Sequence, residues 1–130
     1  FNLHEANAEL LVIFSMLFTL ARELIKDVED LKGDQKTNSN TIAVAFGVRT
    51  SKILIISVFF TSFLILIYSC FMTPLTINSL CFFIPTIVIT GLLIFKSIKS
   101  NSRDAFTKLS KLVKIQFFTA TVWLYFEVLL

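Results

Sequence analysis

Residues Ile53 to Phe95 read ILIISVFFTSFLILIYSCFMTPLTINSLCFFIPTIVITGLLIF, without one Asp, Glu, Lys, Arg or His. A helix needs about 20 apolar residues to cross the hydrocarbon core of a bilayer. This window is long enough to cross twice, around the uncharged link Thr73-Pro74-Leu75-Thr76. It divides into spans Ile53–Met72 and Ile77–Phe95, with Pro85 inside the second. Proline there predicts a kink, tolerated in membrane helices where neighbours satisfy the freed carbonyl.

Working outward, the stretch from Ala6 to Ala21 is apolar except for Glu9 and runs without a breaker into a charged segment. No Pro or Gly precedes Gly33. The pattern predicts one long helix that leaves the membrane near Arg22 and is capped at Gly33, with Asp34 to Asn40 as a loop. On the other side, Phe106, Leu109, Leu112 and Val113 recur at helical spacing, flanked by Lys108, Lys111 and Lys114. This predicts a helix entering the membrane at a shallow angle, its lysines meeting anionic headgroups. It leads into a last span, Val113–Leu130, in which Trp123 and Tyr125 are expected as interfacial anchors. The fold class is all-α: a multi-pass transmembrane helical bundle with four transmembrane helices.

Composition agrees. The chain of 130 residues is 55% hydrophobic and 16% charged, with fifteen Phe. Soluble domains carry roughly 25% charged residues, so a soluble domain is excluded. The net charge of +3 points to no nucleic acid, because the basic residues lie beside membrane segments and read as orientation signals. Six of the twelve Lys and Arg fall in Arg22 to Lys52 and six in Lys96 to Lys114. With four spans both segments share one side, which the positive-inside rule makes cytoplasmic. Cys70 and Cys81 lie in apolar surroundings and form neither a disulfide framework nor a ligand set with the single His4. The chain begins Phe-Asn-Leu without an initiator Met or the pattern of a signal peptide, which is read either as a chain from which something has been removed or as a piece of a longer protein.

Five of the nine acidic residues lie between Glu23 and Asp34. At about 100° per residue, Glu23, Asp27, Asp30 and Asp34 fall within an arc of about 60°. Such repulsion costs a few tenths of a kcal/mol per pair unless a cation offsets it. Hard carboxylate oxygens suit Mg2+, which takes one or two carboxylates together with phosphate oxygens. Asp30 and Asp34, one turn apart, are placed to share one ion, and Arg22 and Lys26 flank them to meet phosphate. Spacing alone fits equally well a solvated helix end, with Lys26 and Asp30 or Glu29 and Lys32 as ordinary surface pairs.

The run Arg22-Glu23-Leu24-Ile25-Lys26-Asp27-Val28-Glu29-Asp30-Leu31-Lys32-Gly33-Asp34, followed by Thr41-Ile42-Ala43-Val44-Ala45-Phe46-Gly47, resembles the second aspartate-rich region of the UbiA family of intramembrane prenyltransferases. It is most similar to the branch that makes digeranylgeranylglyceryl phosphate. The resemblance implies Mg2+-dependent transfer of a prenyl group from a prenyl diphosphate to a lipid or aromatic acceptor within the membrane. It implies catalytic roles for Asp27, Asp30 and Asp34, metal binding by Asp30, Asp34, Asp27 and Glu23, and diphosphate binding by Arg22, Lys26 and Lys36. Where the branch often has Glu-Gly-Asp-Arg, this chain has Lys32 and Gln35 at the flanks, and Asn40 replaces a common Lys. The family's first motif, N-D-x-x-D-x-x-x-D, is absent. The four spans therefore correspond to the last four of about nine helices, the C-terminal half of one prenyltransferase domain. Such a piece, lacking its N-terminal half, is expected to be inactive alone. The competing class is a transporter fragment or non-catalytic membrane subunit. The central spans carry no ionisable groups, which transporters place near the midplane.

Overall fold

The computed structural model describes residues 3–72, 77–99 and 102–129. They form six helices: α1 (Leu3–Glu29), α2 (Leu31–Lys36), α3 (Ile42–Phe46), α4 (Val48–Met72), α5 (Ile77–Lys99) and α6 (Arg103–Leu129). The four long helices close a ring in which α1 packs on α4 and α6, and α5 on the same two. The short helices sit at one end, α2 against α1 and α3, and α3 against α1 and α4.

Spacings of three and four residues build the core. Phe14, Phe18, Ala21, Ile25 and Val28 face inward from α1, and Phe106, Leu109, Val113, Gln116, Ala120 and Trp123 from α6. On α4 the buried positions are Ser51, Ile55, Phe59, Ser62, Leu66 and Ser69, and on α5 Phe83, Thr86, Thr90, Leu93 and Ser97. This is the alternation that lets neighbouring helices interlock at a shallow crossing angle. Small hydroxyl residues face inward because they let apolar helices approach closely. Their hydroxyls are satisfied within their own helix: Ser62 donates to the Val58 carbonyl at 2.9 Å, Ser69 to Ile65 at 2.8 Å and Ser97 to Leu93 at 2.6 Å.

Other large apolar residues point outward. Phe60, Leu64, Tyr68 and Phe71 on α4, and Ile84, Val88, Leu92 and Phe95 on α5, are exposed. In water this surface would be an aggregation hazard; against lipid it is matched. Among the described residues one helix, Val48–Phe71 with mean hydropathy 2.5, is long and apolar enough to cross a membrane by length and composition.

Several expectations change. Gly33 does not end the first helix. The helix breaks at Asp30 and resumes as α2, and it ends in a Schellman turn around Asn38, which takes the left-handed conformation (φ 57°). There the Ser39 amide donates to the Asp34 carbonyl at 2.9 Å and the Asn38 amide to Gln35 at 3.5 Å. Asn tolerates that conformation, so glycine is not needed for the stop. The segment Ser102 to Gln116 is the first half of α6, not a separate interfacial helix: Phe106, Leu109 and Val113 are buried against the bundle. Trp123 is 1% exposed and packs on Phe83, ring centroids 5.2 Å apart, so it anchors the core and not an interface. Tyr125 is exposed. Of the phenylalanines in the two central helices, Phe59 and Phe83 are core and Phe60 and Phe71 face outward. The link 73–76 and the side chains of His4 and Phe82 lie outside the described residues.

One polar knot crosses the bundle. The Gln116 amide nitrogen donates to the Thr86 carbonyl at 3.0 Å and to the Thr90 hydroxyl at 2.6 Å, all three residues fully buried. Hydrogen bonds of this kind contribute about 1 kcal/mol between membrane helices, and truncation adds a cavity cost. Gln116→Ala should destabilise the bundle by about 2 kcal/mol, read as a lower unfolding midpoint in detergent. Gln116→Leu should recover part of the loss.

Candidate functional site

The end of α1, the segment through α2 and α3, the start of α4, the end of α5 and the start of α6 meet at one end of the bundle. This is where the charged sequence collects. Thr41 caps α3 by accepting the Val44 amide at 3.3 Å, and Gly47, at φ 87°, turns the chain directly into α4. A side chain at that φ would be strained. These turns fold the acidic segment back over the bundle end.

The helix break at Asp30 preserves the one-turn spacing. The Asp30 amide donates to the Lys26 carbonyl and the Asp34 amide to the Asp30 carbonyl, both at 2.9 Å. Asp30 is exposed and Asp34 half-buried, and both line a groove of about 530 Å³. Glu29, Gly33 and Thr37 complete one wall; Val48, Ser102, Arg103 and Phe106 form the other. Oε1 of Glu29, a residue of this lining, is buried without a hydrogen-bond partner, and an orphaned carboxylate oxygen is expensive unless a cation meets it.

Glu23 is exposed and Asp27 half-buried on the same stripe. Burial raises the Asp27 pKa above the usual carboxylate value of 3.8, and the charges of Glu23, Asp34 and Asp30 raise it further, against the lowering effect of Lys26. The four acids thus share one field. Among the described residues no three carboxylate, imidazole or thiol groups converge tightly enough to cage a metal. The donors fit an ion held by one or two carboxylates whose remaining ligands come from phosphate or water, the habit of Mg2+.

The stripe faces away from the bundle core. At about 100° per residue, Phe14, Ala21 and Ile25 lie nearly opposite Glu23, while Val12 and Met16 lie within about 20° of it. Val12, Met16 and Leu20 are exposed. The acidic stripe therefore continues toward the membrane as an apolar track on the same face.

The basic residues separate. Lys26 and Lys36 are exposed at the acidic end. Arg22 lines a different hollow, beside Lys114 between α1 and α6. Arg103, which spacing does not single out, faces the acidic groove from α6. Next to it Ser102 caps the helix, accepting the Ala105 amide at 3.3 Å. Its signal in sequence is only that of an N-cap serine; the bundle topology is what brings it to Asp30 and Asp34.

Residues 4–122 match the UbiA prenyltransferase family. The chain is 30% identical over 120 residues to the digeranylgeranylglyceryl phosphate synthase of Methanosphaera stadtmanae, covering 87% of this chain and 42% of that protein. It is 31% identical over 108 residues to the protein of the same name from Sulfolobus acidocaldarius, covering 79% and 36%. A shorter match to that of Hyperthermus butylicus reaches 48% identity over 40 residues, 31% of this chain and 13% of that protein. The chain thus spans about two-fifths of the first two relatives, 42% and 36% of their lengths. No solved structure matches.

The raised Asp27 carboxyl has a pH consequence. Its ionised form is disfavoured in the fold, so the cost is absent below pH 3.8, grows as pH rises through the raised value, and is full above it. Asp27→Asn should therefore raise the unfolding midpoint at neutral pH, by a few tenths of a kcal/mol. The gain should vanish on acidification below pH 3.8, as followed by thermal melts across pH without divalent cations.

Proposed function

The chain belongs to the UbiA prenyltransferase family, and we propose that it carries the second metal and diphosphate motif of an enzyme that transfers a prenyl group to a phosphate-bearing lipid acceptor. The observation that supports this most directly is the groove in which Asp30 and Asp34, one turn apart, face Arg103 beside the orphaned oxygen of Glu29. Asp30 and Asp34 would hold Mg2+, with Asp27 and Glu23 setting the surrounding negative potential. Arg103, Lys26 and Lys36 would neutralise the diphosphate. Arg22 is left out of this set because it lines another hollow.

When bound, the ion supplies charge stabilisation for the departing diphosphate. The chain's own residues hold the diphosphate at the groove. The N-terminal turn of α6 and the Arg103 guanidinium point positive charge where negative charge develops. The allylic C–O bond breaks with its electron pair going to diphosphate. A hydroxyl of the acceptor then forms the new C–O bond and releases its proton.

In this reading the four long helices, of 27, 25, 23 and 27 residues, all cross the membrane, with the charged end cytoplasmic. They would be the last four of about nine. The remaining sequence that the longer relatives possess would supply the first metal motif and cover the outward acidic face. The relatives named as digeranylgeranylglyceryl phosphate synthases support an ether-lipid phosphate as the acceptor class.

In the full-length protein, Asp30→Ala or Asp34→Ala should each lower turnover by about a hundredfold or more and abolish the Mg2+ dependence of prenyl diphosphate binding. Arg103→Ala should weaken donor binding by about tenfold, with Arg103→Lys intermediate. Unchanged Mg2+-dependent binding in both aspartate variants would refute the metal assignment.

A further inference from the structure

On the outer side of the α1–α6 contact, Phe18 and Phe117 line two neighbouring hollows. One, of about 380 Å³, is walled mainly by apolar side chains, among them Val12, Met16 and Ala120. The other, of about 160 Å³, opens beside Arg22 and Lys114. Because both hollows share the two phenyl rings, they form one seam, apolar along its length and cationic at its mouth. From Arg22 to Val12 the seam follows ten residues of α1, about 15 Å at 1.5 Å per residue.

Its charge differs in kind from that of the acidic groove. The residues lining the mouth include two cations and no carboxylate, so an anion binds there without a metal ion to bridge it. An Arg guanidinium fits phosphate oxygens as a fork, and a Lys beside it adds a point charge. The apolar walls call for a hydrocarbon chain attached to that anion. Arg22 precedes Asp30 by eight residues, about 12 Å along the helix. A ligand held here therefore keeps its phosphate clear of the metal groove.

We infer that this seam binds the acceptor: an alkyl-glyceryl monophosphate with its phosphate on Arg22 and Lys114 and its chain between Phe18 and Phe117. The inference rests on the prenyl-transfer reading but uses different residues from those that hold the donor. It assigns metal-free recognition to the acceptor and metal-dependent recognition to the donor.

The test is binding of a synthetic long-chain alkyl-glyceryl phosphate to the full-length protein in phosphatidylcholine nanodiscs, with EDTA present. The wild type should bind it in EDTA. Arg22→Ala combined with Lys114→Ala should weaken binding by about tenfold or more, and Arg22→Lys with Lys114→Arg should restore most of it. Mg2+-dependent binding of prenyl diphosphate should stay within about twofold in the double variant, which also shows that the protein is folded. Undiminished capture after both substitutions would overturn the assignment. So would equal capture of the phosphate-free alkyl glycerol, or equal competition by phosphatidylglycerol, which would mark the seam as a site for bulk membrane lipid. Loss of Mg2+-dependent donor binding in Asp30→Ala with acceptor binding intact in EDTA is the expected separation. If donor binding ignores Asp30 and Asp34 while the seam still selects the phosphate, the metal reading fails alone.

Discussion

A polar group carried into hydrocarbon must find its partner inside the protein, because no water is there to replace one. The buried serine and threonine hydroxyls obey this constraint, whereas Nε1 of Trp123 and Oε1 of Gln116 are buried without a partner. Serine and threonine side chains return their protons to carbonyls one turn back, and the Gln116 amide reaches across to α5. Charge is excluded from the middles of the central helices, and all twelve Lys and Arg with six of the nine acidic residues lie toward one end. The rest of the structure follows from that sorting: small polar residues can face inward among the core aromatics, many large apolar ones can face lipid, and the charged ends are free to build a site.

The site depends on how the chain leaves the first long helix. A straight continuation would carry Asp34 away from the bundle. The break at Asp30 followed by the Schellman turn at Asn38 ends the helix after one more turn and brings the chain back through α3. Asp30 and Asp34 keep their helical spacing while lining one groove with the start of α6. The groove therefore joins residues from two charged segments that are far apart in sequence, acids from one and Arg103 from the other.

The long helices were legible because uninterrupted apolar runs leave few alternatives, and the acidic motif was legible because its spacing and its neighbours are unusual together. The inward face of α4 was not. That helix is apolar all round, so hydropathy marks no side; only the three- and four-residue recurrence of Ser51, Ser62 and Ser69 with Ile55, Phe59 and Leu66 marks it. Lysines flanking Phe106 and Leu109 looked like a membrane-surface helix because the same pattern serves a core helix with one solvated side. Gly33 looked like a stop because glycine usually is one, and Asn38 took that role through local hydrogen bonding. Arg103 carried no pattern of its own, since its significance is purely one of juxtaposition.

The uncharged connection between α4 and α5 bears on how the molecule is made. Only residues 73–76 separate the two helices, and neither they nor the adjoining ends carry a charge. Moving that connection across the bilayer transfers hydroxyls and methyls but no ion, which removes the largest barrier to translocation. Six Lys and Arg precede the pair and six follow it, so in the proposed four-span topology both flanks are retained on one side while the middle passes over. The two helices can thus enter the membrane together as a hairpin during biogenesis. In the proposed topology the charged site then forms from segments that never have to cross the membrane.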